Sequence, residues 1–171
     1  MIVKNIFKKQ EMSEIKLIAS DGEEIYVEFD VINASTYLSK LLERDPDRSS
    51  FEIKEFPSYI LKLVIEYIGL TLKKKPQPIP EVLNGINLKE DLNDDLFYDY
   101  INRVDLETAF QLINAGLVLE LVHLHDLACS KIASFMKGKS VDDINKEFSI
   151  ECQLTAEEAK TIGLEVDDQQ C

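Results

Sequence analysis

Residues 121–150, LVHLHDLACSKIASFMKGKSVDDINKEFSI, restrict this chain to folds that leave apolar helix surface for another protein. Leu121, Leu124, Ala128, Ile132 and Phe135 recur at three- and four-residue steps and so share one helical face. Val122, Cys129, Ala133 and Met136 widen the apolar arc past the roughly 100 degrees that a helix resting on a core requires. Asp126, Ser130, Lys131 and Lys137 leave only a narrow polar strip, so a core on one side leaves the other side for a partner. Gly138 suits the left-handed position after a helix, with Lys137 and Lys139 beside the last exposed carbonyls. Ser140 then caps a second helix, with Asp142 and Asp143 in its positive first turn and Ile144, Phe148 and Ile150 as a sparse apolar edge.

Upstream, Ile15, Leu17 and Ala19 alternate with polar residues as far as Asp21-Gly22, and Ile25, Val27 and Phe29 alternate beyond it, which predicts a β-hairpin. Ser35 caps a helix carrying Tyr37, Leu38, Leu41 and Leu42 that breaks at Asp45-Pro46. A short strand is expected at 51–53. Pro57-Ser58 then open a helix with Ile60, Leu61, Val64, Ile65 and Ile68, for which Gly69 is the expected terminator. Between 71 and 95, the run Lys73-Lys74-Lys75 with Pro76, Pro78 and Pro80 and a polar remainder predicts a flexible loop. Helical periodicity resumes at 96–101 and, behind the N-cap Asp105, in Leu106, Phe110, Leu112, Ile113 and Leu117. The order β, β, α, β, α with a helical C-terminal half places the chain in the α/β class.

A length of 171 residues, 45% of them apolar and 30% charged, suits one globular domain with an appended subdomain. The net charge of -13 argues against nucleic acid and anionic membrane as partners, because both require a clustered basic face. No apolar run approaches the roughly 20 residues of a membrane span, residues 1–13 lack a signal-type apolar segment, and a disordered N-terminal extension of a soluble intracellular protein is expected. Three widely spaced cysteines, Cys129, Cys152 and Cys171, fit a reducing compartment better than a disulfide framework. His123, His125 and Cys129 look like a metal or nucleophile cluster. On a helix, however, His123 points roughly 200 degrees away from His125, so three ligands do not converge. No Gly-rich phosphate loop, G-x-S-x-G or H-E-x-x-H occurs, and the acidic pairs read as turns and helix starts. Neither catalysis nor a metal or cofactor is expected.

Three segments together carry a family resemblance: IKLIASDGEEIYVEF at 15–29, FPSYILKLVIEYI at 56–68 and DLACSKIASFMKGKSVDDINKEFSI at 126–150. Over about residues 15 to 165 the chain resembles the Skp-type adaptors, the S-phase kinase-associated proteins of SCF ubiquitin ligases. The resemblance implies a BTB/POZ fold, a small mixed sheet with helices, over 14–118, followed by a C-terminal helical F-box-binding region over 119–171. The first half is also similar to elongin C, which lacks the run at 137–150. The implied function is that of a non-catalytic adaptor, cytoplasmic and nuclear, which links F-box proteins to a cullin N-terminal region. Carried over by position, Cys129, Ile132, Met136, Ile144, Phe148 and Ile150 are the F-box-contacting or groove-lining residues. Cys129 and Ile132 serve equally well as core.

Departures from the family bear on the partners. Leu117 and Val118 stand where the family carries an Asn-Tyr pair that contacts the cullin, so cullin binding is weakened or remodelled here, or the edge serves a different partner. The chain has no tryptophan, whereas the family tail packs one on the F-box; Ile162, Leu164 and Val166, in a segment opened by Thr155, are partial replacements. Val141 occupies the place of a proline that some lineages hydroxylate. The alternative is a self-associating BTB-type scaffold, a homodimer that works without a cullin.

Overall fold

The computed structural model describes residues 14–149 apart from 47 and 86. Strand β1 (Glu14–Ala19) and strand β2 (Glu24–Glu28) form the expected hairpin, with Ile15 opposite Val27 and Leu17 opposite Ile25. Gly22 supplies the left-handed turn residue at φ 81. Because side chains alternate across a strand, Ile15, Leu17, Ala19, Ile25 and Val27 fall on one face, and all are buried. Strand β3 (Ser50–Ile53) joins the other side of β1 in parallel, with Leu17 beside Phe51 and Ala19 beside Ile53, giving the order β2-β1-β3. A parallel neighbour needs a crossover, and two helices supply it: α1 (Phe29–Ala34) and α2 (Thr36–Arg44).

Ser35 caps α2 by accepting from the Leu38 amide. Helix α1 was not foreseen, and Phe29, expected to continue the strand, begins it. Its six residues are too few to show a helical period, and it is anchored by Val31 and Ile32, both buried.

Helix α3 (Ser58–Lys73) runs four residues past Gly69, which corrects the expected terminator. Gly69 has no positive φ, Lys74 N–H still reaches the Leu70 carbonyl at 2.9 Å, and Pro76 then enforces the stop. The segment 71–95 is correspondingly not one loop. It contains α4 (Leu88–Leu92), capped by Asn87 and docked by Leu88 and Leu92, both buried. Helices α5 (Asp95–Asn102), α6 (Leu106–Val118), α7 (Val122–Met136) and α8 (Val141–Glu147) follow. Among the described residues this makes three strands and eight helices, and none of the helices is long and apolar enough to cross a membrane.

The first turn of α3 is capped from a distance. Pro57 offers no side-chain cap, and Asp21 in the hairpin turn accepts from Ser58 N at 3.0 Å and Ser58 Oγ at 2.8 Å. The Ser58 backbone amide, then its hydroxyl, hold the Asp21 carboxyl below its ordinary value. A depressed carboxylate stabilises the fold above its unfolded pKa of about 3.9, and that stability is lost as pH falls through the folded value. Asp21→Asn is therefore expected to lower the urea midpoint at pH 7, with the gap to wild type closing as the solution is taken below about pH 3.9.

A second cluster sits where α3, α5 and α7 meet. Tyr67 stacks on His123 with ring centroids 6.1 Å apart, and Phe97 meets His123 edge-on at 5.2 Å. His123 Nε2 is 2.9 Å from the Gln77 carbonyl, so Nε2 carries the hydrogen of the neutral ring, and the Tyr67 hydroxyl donates to Nδ1 at 2.9 Å. This clamp ties the proline-rich segment to the start of α7.

The chain divides into two compact units between Phe135 and Met136. Most of α7 thus belongs with the sheet-containing unit.

Candidate partner-binding surfaces

Asp105 caps α6 by accepting from Thr108 N at 2.7 Å, and Ala109, Leu112, Ala115 and Gly116 face the core. At its end the chain turns sharply: Leu121 N–H reaches the Gly116 carbonyl at 2.7 Å, and Glu120 adopts φ 56. Gly116 permits this corner, since a Cβ there would lie 2.6 Å from the His125 nitrogen. Lys40 of α2 holds Glu120 through both carboxylate oxygens at 2.6 and 2.9 Å. The corner turns three aliphatic side chains outward: Leu117 is 70% exposed, Val118 39% and Val122 71%. Leu117 and Val118 were singled out from sequence. In the sequence Val122 belongs to the α7 arc, and its place four residues after Val118 across the turn is the signal that puts it on this surface.

Helix α7 buries Leu124, Leu127, Ala128, Ser130 and Ile132. Ile132 is 5% exposed, so it supports the surface from beneath and does not form it. The opposite side stays open, as the wide apolar arc implied. Cys129 is half-buried, Ala133 is exposed and Met136 is 37% exposed, and steps of four and three put them on one line. Lys131 crosses to donate to the Asn102 carbonyl at 3.0 Å; burial lowers its pKa, and Asp105 works in the other direction. Within this helix His123 faces the aromatic cluster while His125 and Cys129 face each other, so the three do not converge.

In the second unit, Gly138 takes φ 75 and Ser140 forms a full capping box with Asp143. The Ser140 hydroxyl donates to Asp143 Oδ2 at 2.7 Å and, with the Ser140 amide, holds that carboxyl below its usual range. Helix α8 is seven residues long and buries none of them. Ile144 and Phe148 are half-buried, Phe148 standing at the C-cap, and Val141 is 72% exposed. Ile150 and the tail residues Thr155, Ile162, Leu164 and Val166 lie outside the described residues.

Comparison with known proteins bears on these surfaces. Residues 13–72 match the Skp1 family, tetramerisation domain, and residues 123–165 match the Skp1 family, dimerisation domain. The S-phase kinase-associated protein 1 homolog of Tetrahymena thermophila is 31% identical, covering 88% of this chain and 90% of that protein. SKP1-like protein 12 of Arabidopsis thaliana is 33% identical over 88% of this chain and 93% of its own. The E3 ubiquitin ligase complex SCF subunit sconC of Arthroderma otae is 30% identical, covering 90% of this chain and 92% of the relative. With family models matching residues 13–72 and 123–165, and relatives at least 30% identical over most of its length, this chain belongs to the Skp1 family.

Proposed function

We propose that this protein is the adaptor subunit of an SCF-type E3 ubiquitin ligase, linking F-box receptors to a cullin scaffold without a catalytic step of its own. The observation that carries the reading is the second open side of α7, where Cys129, Ala133 and Met136 stay accessible although the helix already buries its other side. In the second unit, a short helix that buries none of its own residues carries Ile144, and Phe148 stands half-buried at its C-cap. The SCF subunit named among the relatives supports this role. An F-box on these residues should bury roughly 1,200 Å² or more in total, with one or two large apolar anchors dominating the affinity.

Isothermal titration with an F-box domain from the same organism tests the reading. Wild type should form a one-to-one complex, and Phe148→Asp should weaken it by about 2 kcal/mol or more, some thirtyfold, with the far-ultraviolet circular dichroism unchanged. Unaltered affinity in that variant would place the F-box elsewhere. We assign the cullin N-terminal region to the corner of Leu117, Val118 and Val122, and Leu117→Asp should reduce its capture.

The same three aliphatics motivate a second reading, in which the corner meets another copy of the chain and no cullin is involved. Light scattering separates the two: a mass that rises with concentration and falls back in Leu117→Asp supports self-association, and a constant monomer that binds cullin removes it.

A further inference from the structure

Side chains alternate across a strand, so the residues that leave the core face of the sheet share its other face. Glu14 and Ile18 of β1, Glu24, Tyr26 and Glu28 of β2 and Glu52 of β3 all belong to that outward face. Among the described residues it stays open: Tyr26 is 62% exposed, Ile18 is half-buried and the four glutamates are exposed. A hollow lined by Ile18, Ser20, Gly22, Glu52 and Lys54 opens at its hairpin-turn end.

The charge of this face is one-sided. Lys16 pairs with Glu24 at 2.8 Å and Lys54 with Glu52 at 2.9 Å. Glu14 and Glu28 stand directly opposite each other where β1 begins, and neither has a cationic partner among the described residues. Like charges in that position destabilise a strand pair, so a cation placed over them would be favourable. The chain carries two close by, since Lys9 and Lys8 precede Glu14 by five and six positions. Ile6 and Phe7 come just before them. A chain turning back from Glu14 over β1 therefore brings its lysines to the acidic row first and its apolar pair to Tyr26 and Ile18 next, the order in which the face presents them. Seven residues reach up to roughly 23 Å. The run along β1 from Glu14 to Ile18 is only about 13 Å, and a layer packed on a sheet lies about 10 Å above it.

We propose that residues 6–9 fold back over the outward face of the sheet, Lys8 and Lys9 meeting Glu14 and Glu28, and Ile6 and Phe7 covering Tyr26, Ile18 and the hollow beside them. The N-terminal segment is then a built-in cover for a surface that is both acidic and apolar. Its lysines act at the protein surface, so salt loosens the cover.

The chain has no tryptophan, so Phe7→Trp in the full chain gives an emission that reports on position 7 alone. That emission should lie at shorter wavelength than in the urea-unfolded chain and resist acrylamide quenching. Both properties should be lost in Tyr26→Asp, and in Lys8→Glu with Lys9→Glu, while the far-ultraviolet circular dichroism stays unchanged. Glu14→Lys with Glu28→Lys, added to the lysine reversals, should restore them. Quenching equal to that of the unfolded chain overturns the proposal. So does protection that survives Tyr26→Asp or the lysine reversals, which would place the segment elsewhere, or a charge swap that restores nothing. Protection that disappears on dilution overturns it as well, because the cover would then come from a second copy.

Discussion

Phe97→Ala should cost about 3 to 5 kcal/mol of folding stability, a large share of the roughly 5 to 15 kcal/mol that holds a domain of this kind together. Phe97 is 1% exposed, lies 5.9 Å from the Tyr67 ring and closes one side of His123. Its removal leaves a cavity that the Tyr67 and Tyr100 rings, each fixed by a hydroxyl hydrogen bond, are poorly placed to fill. Urea midpoints measure the loss directly, and Phe97→Leu, which keeps most of the volume, should cost much less.

The same variant carries a pH signature. Burial holds the His123 imidazole below its ordinary value; the Gln77 carbonyl, Asp126 and Asp94 only partly oppose it. The unfolded ring therefore takes up a proton near pH 6.5 while the folded ring stays neutral, and the unfolded state binds more protons below that point. Stability should decline as pH falls from about 6.5 and level off once the folded ring also protonates. In Phe97→Ala water reaches the ring and the decline should flatten; His123→Gln should remove it. A wild-type midpoint that does not move between neutral and mildly acid solution would refute this account, provided the Asp21 contribution is read separately at lower pH.

Gly116→Ala should destabilise by about 3 kcal/mol, the upper end for overpacking, because the added methyl meets backbone and not a flexible side chain. The contacts would be 2.6 Å to His125 N and 2.8 Å to its Cα. Helix propensity alone favours alanine over glycine by about 1 kcal/mol, so the sign of the measurement shows which effect wins. Gly69→Ala is the internal control. It is also helical but has nothing within 4 Å of its added Cβ, and it should gain about 1 kcal/mol. A stabilised Gly116→Ala would mean that α6 and α7 do not approach as closely as described. The partner binding proposed for Leu117 and Val118 should suffer with folding, since the corner that presents them depends on this contact.

The parts of this fold that could be read from sequence are those where local chemistry and tertiary packing agree. The hairpin alternation, the caps at Ser35, Asp105 and Ser140, and the stop at Gly138 each depend on residues within four positions. What escaped depends on distant partners. Helix α1 exists because Val31 and Ile32 find the core, and α4 because Leu88 and Leu92 do, in a segment whose prolines and lysines read as loop. Gly69 looks like a terminator in sequence, yet a glycine ends a helix only where the chain takes positive φ. At the candidate surface, the spacing of Leu124, Ala128 and Ile132 marks the side that meets the core, and the apolar width shows that a second side is left to cover. Ile132 went inward, while Cys129 and Met136 stayed accessible.

The carboxylate of Asp21 acts 37 positions along the chain from the helix it caps. A helix whose first turn is satisfied by its own neighbours can flicker into existence alone; α3 has no such local cap, and its opening amide is met only after the hairpin has closed and docked. Sheet and helix therefore gain from each other's presence, and partial opening of one should loosen the other. In hydrogen exchange, the hairpin turn and the start of α3 should open as one unit, and Asp21→Asn should uncouple them.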